Sequence, residues 1–257
     1  MSDLGRLVLV PTPLDFGVAE ATTDLREVLP LGSIRAAARL AYWAAENAKS
    51  LRAFLKRVDA IEPLAQPLQS LHIVELPRAL KGGPRTTGAP PAALQALLAP
   101  VLDGHDIGLA CEAGMPAIAD PGAALVAAAH AARIEVVPLP GPNALLLALA
   151  ASGLNGQSFG FVGYLPVEAP ARAARIRELE ALSRRTCQTQ LMIETPYRNA
   201  ALLGALVAQL GDATRLSVSC GLTLAGGWTR SATVAQWRSE PTPIAADIPA
   251  VFALLAS

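Results

Sequence analysis

The sequence predicts an α/β protein built from two domains. Three observations support this fold class: short strand-like runs alternate with helical segments, turns rich in glycine and proline follow several strands, and the composition is that of a globular protein. Of the 257 residues, 52% are hydrophobic and 16% are charged, and 21 Lys+Arg balance 21 Asp+Glu. Disordered chains combine low hydrophobicity with high net charge, so that class is excluded.

The elements of the first domain follow one another in a regular order. Residues 6–10 form a strand, because the apolar run ends at Pro11 and Pro13, which a helix interior would not tolerate. Further strands are predicted at residues 40–45, 71–76, 106–110 and 134–138. Helices are predicted from Ser33 onward and at residues 47–58, 91–102, 123–132 and 144–151. This alternation indicates βαβ units and a parallel sheet.

Two segments interrupt that order. Residues 77–91 contain three glycines and several prolines, which favours a mobile loop and makes the segment a candidate lid. Residues 151–158, ASGLNGQS, are small and polar and suit a domain boundary. We therefore predict one domain at residues 1–157 and a second at residues 158–257.

The pattern restarts in the second domain. Strands are predicted at residues 159–162, 189–193 and 215–219, with two weaker ones near 228–234 and 250–254. Helices are predicted at residues 167–183 and 197–210. Because strict alternation is lost, the second sheet is predicted to be mixed rather than purely parallel.

The segment EAGMPAIADPG, residues 112–122, directly follows a predicted buried strand. In open α/β sheets, ligands bind outside the carboxyl ends of the strands. Gly114 would let the backbone approach a ligand closely, and Glu112 is placed to meet a ribose hydroxyl or a cation. The alternatives are a turn that simply needs glycine and, for Asp120, the cap of the following helix, which we favour.

A second turn, PLPGPN at residues 138–143, follows the next strand and should lie beside the first on the same edge. Together with Pro11–Pro13, the two turns would form a rigid cleft that presents backbone N–H and C=O groups. The chain has no GxxxxGK[ST] loop, and no GxGxxG opens its first βα turn. A P-loop NTPase and an ordinary NAD enzyme are therefore disfavoured.

Charge and cysteine content restrict the partners. A net charge of zero means that any polyanion site must be local. Five arginines between residues 172 and 185 form either a phosphate-contacting face or, as we favour, a solvated helix face, since two glutamates lie among them. Three scattered cysteines and three histidines disfavour a disulfide framework and a metal site. No apolar run is long enough for a membrane span, so we expect a soluble, cytoplasmic protein without membrane contacts.

Five motifs in order resemble the tetrapyrrole methylase superfamily of S-adenosylmethionine-dependent methyltransferases. They are PTP in the first loop, EAGMPAIADPG, PLPGPNALLLALAASGL, GYLP and IETPYRN, and together they cover about residues 6–200. They are most similar to a branch that methylates a ribose 2′-hydroxyl of small-subunit ribosomal RNA, whose pattern runs ATPIGN, SDAGTPLISDPG, PGPSA, GFLP and YESPHR. The typical AEDTR of that branch is AENAKS here, at residues 45–50, and the Gly-Asn of its first loop is replaced. The chain therefore resembles a paralogue within the branch.

The resemblance implies that S-adenosylmethionine binds in a cleft between a parallel-sheet domain and a mixed-sheet domain. The resemblance also implies that the protein forms homodimers and that its reaction needs no metal ion. Carried over to this sequence, the cofactor-binding residues are Pro11, Thr12, Glu112, Ala113, Gly114, Pro116, Gly141, Asn143, Ala144, Tyr164, Leu165, Ile193, Glu194 and Thr195.

A hydroxyl nucleophile also needs a proton acceptor. Glu46, Glu194 and Asp120 are the carboxylates in matched motifs, and we select Glu46 as the catalytic residue. An ion pair with Arg198, four residues on, is the alternative role of Glu194.

Three functions follow from these observations. The first is methylation of a ribose 2′-hydroxyl in ribosomal RNA or a related RNA. The second is methylation of a small, tetrapyrrole-like molecule, which the neutral charge and the altered AENAKS segment favour. The third is a paralogue that binds the cofactor without catalysis. Because the motifs resemble the branch that methylates ribosomal RNA, we favour the first of these three functions.

Overall fold

The computed structural model describes residues 4–15, 23–77 and 91–256. The chain divides into two compact units, Met1–Pro142 and Asn143–Ser257. Each unit contains one five-stranded sheet flanked by helices, which confirms the predicted α/β class. The predicted lid, apart from its two terminal prolines, lies outside the described residues.

The first unit contains a parallel sheet. Its strands are β1 (Leu7–Leu9), β2 (Tyr42–Ala45), β3 (His72–Glu75), β4 (Ile107–Ala110) and β5 (Val136–Pro138). Its helices are α1 (Leu25–Val28), α2 (Leu31–Ala38), α3 (Ala48–Asp59), α4 (Pro91–Leu102) and α5 (Ala123–Ala131). The strand order is β3-β2-β4-β1-β5, with every pair parallel. The carboxyl ends of β1, β2 and β4 consequently meet at one edge.

Buried apolar residues explain why these strands are central. All four residues of β4 are buried, and apolar clusters cover both faces of the sheet. Trp43 is 1% exposed, and its indole N–H donates to the carbonyl of Leu40 at 3.1 Å. Gly108 makes room for this ring, because a Cβ there would lie 2.5 Å from it. The packing of Trp43 on Gly108 therefore helps to hold β2 beside β4.

The second unit contains the predicted mixed sheet. Its strands are β6 (Phe159–Phe161), β7 (Thr189–Ile193), β8 (Arg215–Cys220), β9 (Trp228–Thr233) and β10 (Ala250–Leu255). Its helices are α6 (Ala144–Ser152), α7 (Ala169–Thr186), α8 (Asn199–Gln209) and α9 (Val234–Ser239). The order is β6-β7-β10-β8-β9; only the β6–β7 pair is parallel. β10, predicted as a weak strand, is central, and α9 was not predicted.

Helix α6 belongs to the second unit. Leu145 and Leu149 of this helix pack with Leu191 of β7 and Val251 of β10. The units therefore separate at residues 142 and 143, ahead of α6. The predicted boundary, between residues 157 and 158, comes one helix later in the chain.

Candidate functional site

The loop after β1 is joined to the turn after β4. Thr12 and Gly114 exchange two backbone hydrogen bonds, each of 3.0 Å. The Thr12 hydroxyl donates to the carbonyl of Cys111 at 3.2 Å. Gly114 has a φ of +74°, which glycine adopts at little cost. Two of the three predicted cofactor loops therefore form one rigid structure at the carboxyl edge of the sheet.

The loop after β5 packs against the first loop. A Cβ on Gly141 would lie 2.3 Å from Cγ of Pro11, so only glycine allows this approach. The Ser33 hydroxyl of α2 donates to the carbonyl of Pro140 at 2.7 Å. Among the residues that the structure describes, the backbone N–H groups of Ala113 and Gly141 have no hydrogen-bond partner. Such donors, held in rigid loops, are suited to a polar ligand.

Two glutamates at this edge accept hydrogen bonds that join the segments following β2 and β4. Oε2 of Glu46, just after β2, accepts a hydrogen bond from the backbone N–H of Glu112 at 3.1 Å. Oε1 of Glu112 accepts one from the hydroxyl of Ser50 in α3 at 2.7 Å. Burial raises the pKa of Glu46 above its ordinary value. The sheet topology thus brings Glu46 and Glu112 together as one acidic site.

Asp120 does not cap helix α5, which corrects the expectation from the sequence. Gly122 occupies the N-cap position, and no side chain caps this helix end. A capping side chain must stand at the N-cap itself to reach the first free N–H groups, and Asp120 lies two residues before it. Burial, followed by the charges of Glu46 and Glu112, raises the pKa of Asp120 to about 7. The charges of the two glutamates thus act on Asp120, which belongs to the same turn as Glu112.

Asn47, in the altered AENAKS segment, caps helix α3. Its side-chain oxygen accepts hydrogen bonds from the backbone N–H groups of Lys49 at 2.9 Å and Ser50 at 3.3 Å. An aspartate at this position could make the same bonds, so the replacement keeps the cap and removes a charge. The segment after β2 therefore retains the local structure that holds Glu46.

Glu194 and Arg198 form the ion pair that the sequence left open. Oε1 of Glu194 lies 2.6 Å from Nη2 of Arg198, and the Glu194 side chain is 2% exposed. The same oxygen accepts a hydrogen bond from the backbone N–H of Thr195 at 2.8 Å. The pKa of Arg198 is raised, chiefly by the hydrogen bond to Glu194. The carboxylate of Glu194 is thus already paired.

The other predicted residues of the second unit have different surroundings. Leu165 is 3% exposed in the apolar core, so only its backbone is suited to meet a ligand. The Asn143 side chain caps α6 and accepts a bond from Leu146 N–H at 3.1 Å. Tyr164 is exposed, and Ile193 donates its N–H to the carbonyl of Gly163, next to Tyr164. Their contacts with a cofactor remain predictions.

Most of the arginines between residues 172 and 185 contact their own unit. Arg175 pairs with Glu178 at 2.7 Å, Arg177 donates to the side chain of Gln209 at 2.6 Å, and Nη1 of Arg172 donates to a backbone carbonyl. These contacts favour a solvated helix face over a dedicated phosphate site.

Within the described ranges, no group of three or more His, Cys, Asp or Glu side chains is placed to hold a metal ion. In the same ranges, no helix has both the length and the apolar character of a membrane span.

A family model described as Tetrapyrrole (Corrin/Porphyrin) Methylases matches residues 32–236, which is most of the chain. The chain belongs to the tetrapyrrole methylase family. The crystal structure of the methyltransferase CobJ has a TM-score of 0.55 with 16% identity, and the match covers 98% of this chain and 95% of that one. At this identity, the two proteins share a fold.

Parts of this tetrapyrrole methylase are similar to proteins named Ribosomal RNA small subunit methyltransferase I. The one from Mesorhizobium japonicum is 40% identical over 127 residues, which are 49% of this chain and 42% of the relative. The one from Halalkalibacterium halodurans is 32% identical over 210 residues, which are 82% of this chain and 62% of the relative. The chain spans about half the length of the curated relatives it matches.

The sequence did not predict two side-chain contacts of this tetrapyrrole methylase. Ser50 was not singled out, although it binds Glu112 across 62 positions of the chain. Arg57 of α3 lies 2.8 Å from the carboxylate of Asp15, which is 3% exposed, and donates to the carbonyl of Thr23 at 2.7 Å. Asp15 belongs to the part of the first loop that differs from the branch pattern. It needs a cationic partner because it is buried, and the sequence does not reveal this burial.

Proposed function

We propose that this protein is an S-adenosylmethionine-dependent methyltransferase that acts on a ribose 2′-hydroxyl of ribosomal RNA or a related RNA. The family and the names of the relatives support this assignment. The observation that carries it is the edge of the first sheet, where three loops joined by hydrogen bonds and close packing present two backbone N–H groups that have no partner among the described residues, near Glu46 and Glu112. Methyl transfer needs such an arrangement, because the protein mainly positions both reactants.

The loops fit a nucleoside cofactor. The N–H groups of Ala113 and Gly141 can donate to its polar atoms, and Glu112 can accept from a ribose hydroxyl. When bound, S-adenosylmethionine supplies an activated methyl group on a sulfonium. Thr12 and Gly114 use their backbone groups to hold the loops together, so their part is to keep the donors in place.

The remaining predicted contacts are part of the proposal. For the cofactor they are Pro11, Pro116, Asn143, Ala144, Tyr164, Leu165, Ile193, Glu194 and Thr195, and for catalysis Glu46. We also propose a cytoplasmic homodimer, because the proposed substrate is ribosomal RNA and the family resemblance implies a dimer. Light scattering tests the dimer: a monomer mass at working concentration would refute it.

Two measurements in sequence test the function. Calorimetric titration with S-adenosylmethionine and S-adenosylhomocysteine tests cofactor binding. Transfer of labelled methyl is then measured to unmodified small-subunit ribosomal RNA, to assembled small subunits and to a fraction of small metabolites. A 2′-O-methyl group blocks alkaline cleavage of the adjacent linkage, so label in an alkali-resistant dinucleotide is the expected result.

The other outcomes identify the alternatives. Label in the metabolite fraction alone would replace RNA with a small-molecule acceptor. Cofactor binding without transfer to any fraction would indicate the catalytically silent paralogue. Absence of cofactor binding would refute the proposal altogether.

A further inference from the structure

Helix α3, which begins two residues after Glu46, has three cationic side chains on its solvent-exposed side. Lys49, Arg52 and Lys56 are all exposed, and their spacing places them within an arc of about 60° around the helix axis. The opposite side of α3 is buried in the apolar core through Leu51, Phe54, Leu55 and Val58. The three cations therefore form one basic face of α3.

The basic face of α3 has no acidic partner within the described part of the chain. None of its three cations belongs to an ion pair there. The acids at its two ends accept backbone N–H groups instead: Glu75 accepts that of Ala48 at 2.9 Å, and Asp59 accepts that of Leu64 at 3.0 Å. An anion from outside the chain can therefore approach this face without displacing an internal ion pair.

The stability of the helix does not explain this arrangement. Arg52 lies three residues after Lys49 and four before Lys56, and like charges at these spacings repel each other. Lys49 also belongs to the first turn, where the helix dipole favours acidic residues, and α3 has none there. A polyanion bound along the face would offset both costs.

The basic face of α3 begins at the candidate site. Ser50, the residue after Lys49, donates its hydroxyl to Glu112 at 2.7 Å, so the first turn of α3 belongs to the edge where the loops meet. With a rise of about 1.5 Å per residue, Lys56 lies about 10 Å further along the helix than Lys49. A nucleic-acid strand whose target ribose lies at the edge would thus pass a row of cations.

We propose that the basic face of α3 binds the phosphate backbone of the RNA substrate. This inference rests on the proposed function. The chain has no net charge, so a polyanion needs a local cationic surface of this kind. Cations that contact phosphates position a strand without reading its sequence. RNA fits better than an anionic membrane surface, because the apolar side of α3 is occupied by the core and cannot enter lipid.

The test compares Lys49→Gln/Lys56→Gln with the wild-type protein, and binding to a labelled fragment of small-subunit ribosomal RNA is measured by fluorescence anisotropy at several salt concentrations. We expect the affinity to fall about 10-fold at low salt. The slope of log affinity against log salt should become shallower by about 1.5, since each lost phosphate contact removes about 0.7 to 0.9. Calorimetry with S-adenosylmethionine, expected within about twofold of wild type, shows that the variant is folded.

Two variants serve as controls. Lys49→Arg/Lys56→Arg keeps both charges and should retain the affinity and the slope. Arg39→Gln/Arg133→Gln removes two charges from exposed positions elsewhere in the same unit and should change both much less. An equal loss in this second control would overturn the inference, because net charge rather than the basic face of α3 would then hold the RNA.

Other outcomes separate this inference from the proposed function. If wild-type protein methylates RNA and Lys49→Gln/Lys56→Gln binds it with the same affinity and slope, the inference alone is refuted. The same holds if the variant loses binding to vesicles of phosphatidylglycerol but keeps its affinity for RNA, since the face would then bind a membrane surface. Wild-type protein that neither binds nor labels RNA refutes the proposed function, and the inference with it.

Discussion

Replacing Asp120 by asparagine is expected to stabilise the protein at pH values above the pKa of this carboxyl group. The pKa of Asp120 rises from its ordinary 3.8 to about 7, so its ionised form is disfavoured in the folded protein. If the whole rise is a difference between the folded and unfolded states, it lowers the free energy of unfolding by about 4 kcal/mol. Solvent reaches part of the side chain, which reduces this to about 2 kcal/mol gained by the neutral amide at pH above about 8.

The stability that the asparagine variant gains over wild type is expected to increase with pH. The folded protein holds a proton on Asp120 up to about pH 7, whereas the unfolded chain releases it near 3.8. Wild-type stability therefore falls as pH rises across this window because of this group. Below about pH 4 the carboxyl is protonated in both states, and the asparagine variant gains nothing.

Urea unfolding at about pH 8 and about pH 4.5 measures both effects, with Asp103→Asn as the exposed control. A variant less stable than wild type at the higher pH would refute the reasoning, because it would show that the carboxylate has a stabilising partner. An equal gain at both pH values would also refute it, since ionisation would then not be the cause.

Three further substitutions test the local structure. Gly141→Ala places a Cβ 2.3 Å from the proline ring of the first loop. We expect a loss of about 2 kcal/mol in unfolding free energy and weaker cofactor binding by calorimetry, whereas Gly32→Ala, with open space around it, should not destabilise. Glu194→Gln removes the charged partner of Arg198 and should lower the free energy of unfolding by more than Glu178→Gln, which disrupts an exposed pair and should cost under about 0.5 kcal/mol; both are measured by urea unfolding. Asn47→Ala should cost about 1 kcal/mol and Asn47→Asp almost nothing in the same assay; equal losses would exclude the cap as the cause.

Apart from the short helix α1, the order of strands and helices in the first unit was predictable because its signals are local. Prolines end the first strand, and an asparagine begins α3 at the expected residue. Periodicity and turn residues act within a few positions of the chain, so a single sequence carries them. The α/β class was predicted from these signals, and the family from the resemblance of five motifs; both are confirmed.

The second unit shows where local signals fail. β10 was predicted as a weak strand, yet it lies between β7 and β8 at the centre of its sheet. Its position depends on pairing with strands that precede it by tens of residues. Helix α6 was recognised, but its packing on the second sheet depends on Leu191 and Val251, which are distant in the chain.

By itself, the sequence determined most of the elements, the family and the loops at the edge of the first sheet; it did not predict α1 or α9. The tertiary structure decided which side chains there form hydrogen bonds: Glu46 and Glu112 do, whereas Asp120 does not cap α5 and has no hydrogen bond or ion pair within the described part of the chain. It also stacked the ring of Tyr42 on those of His72 and His105, which are distant from it in the chain. Capping and periodicity act between near neighbours, whereas burial, charge coupling and ring stacking depend on which distant segments the fold brings together.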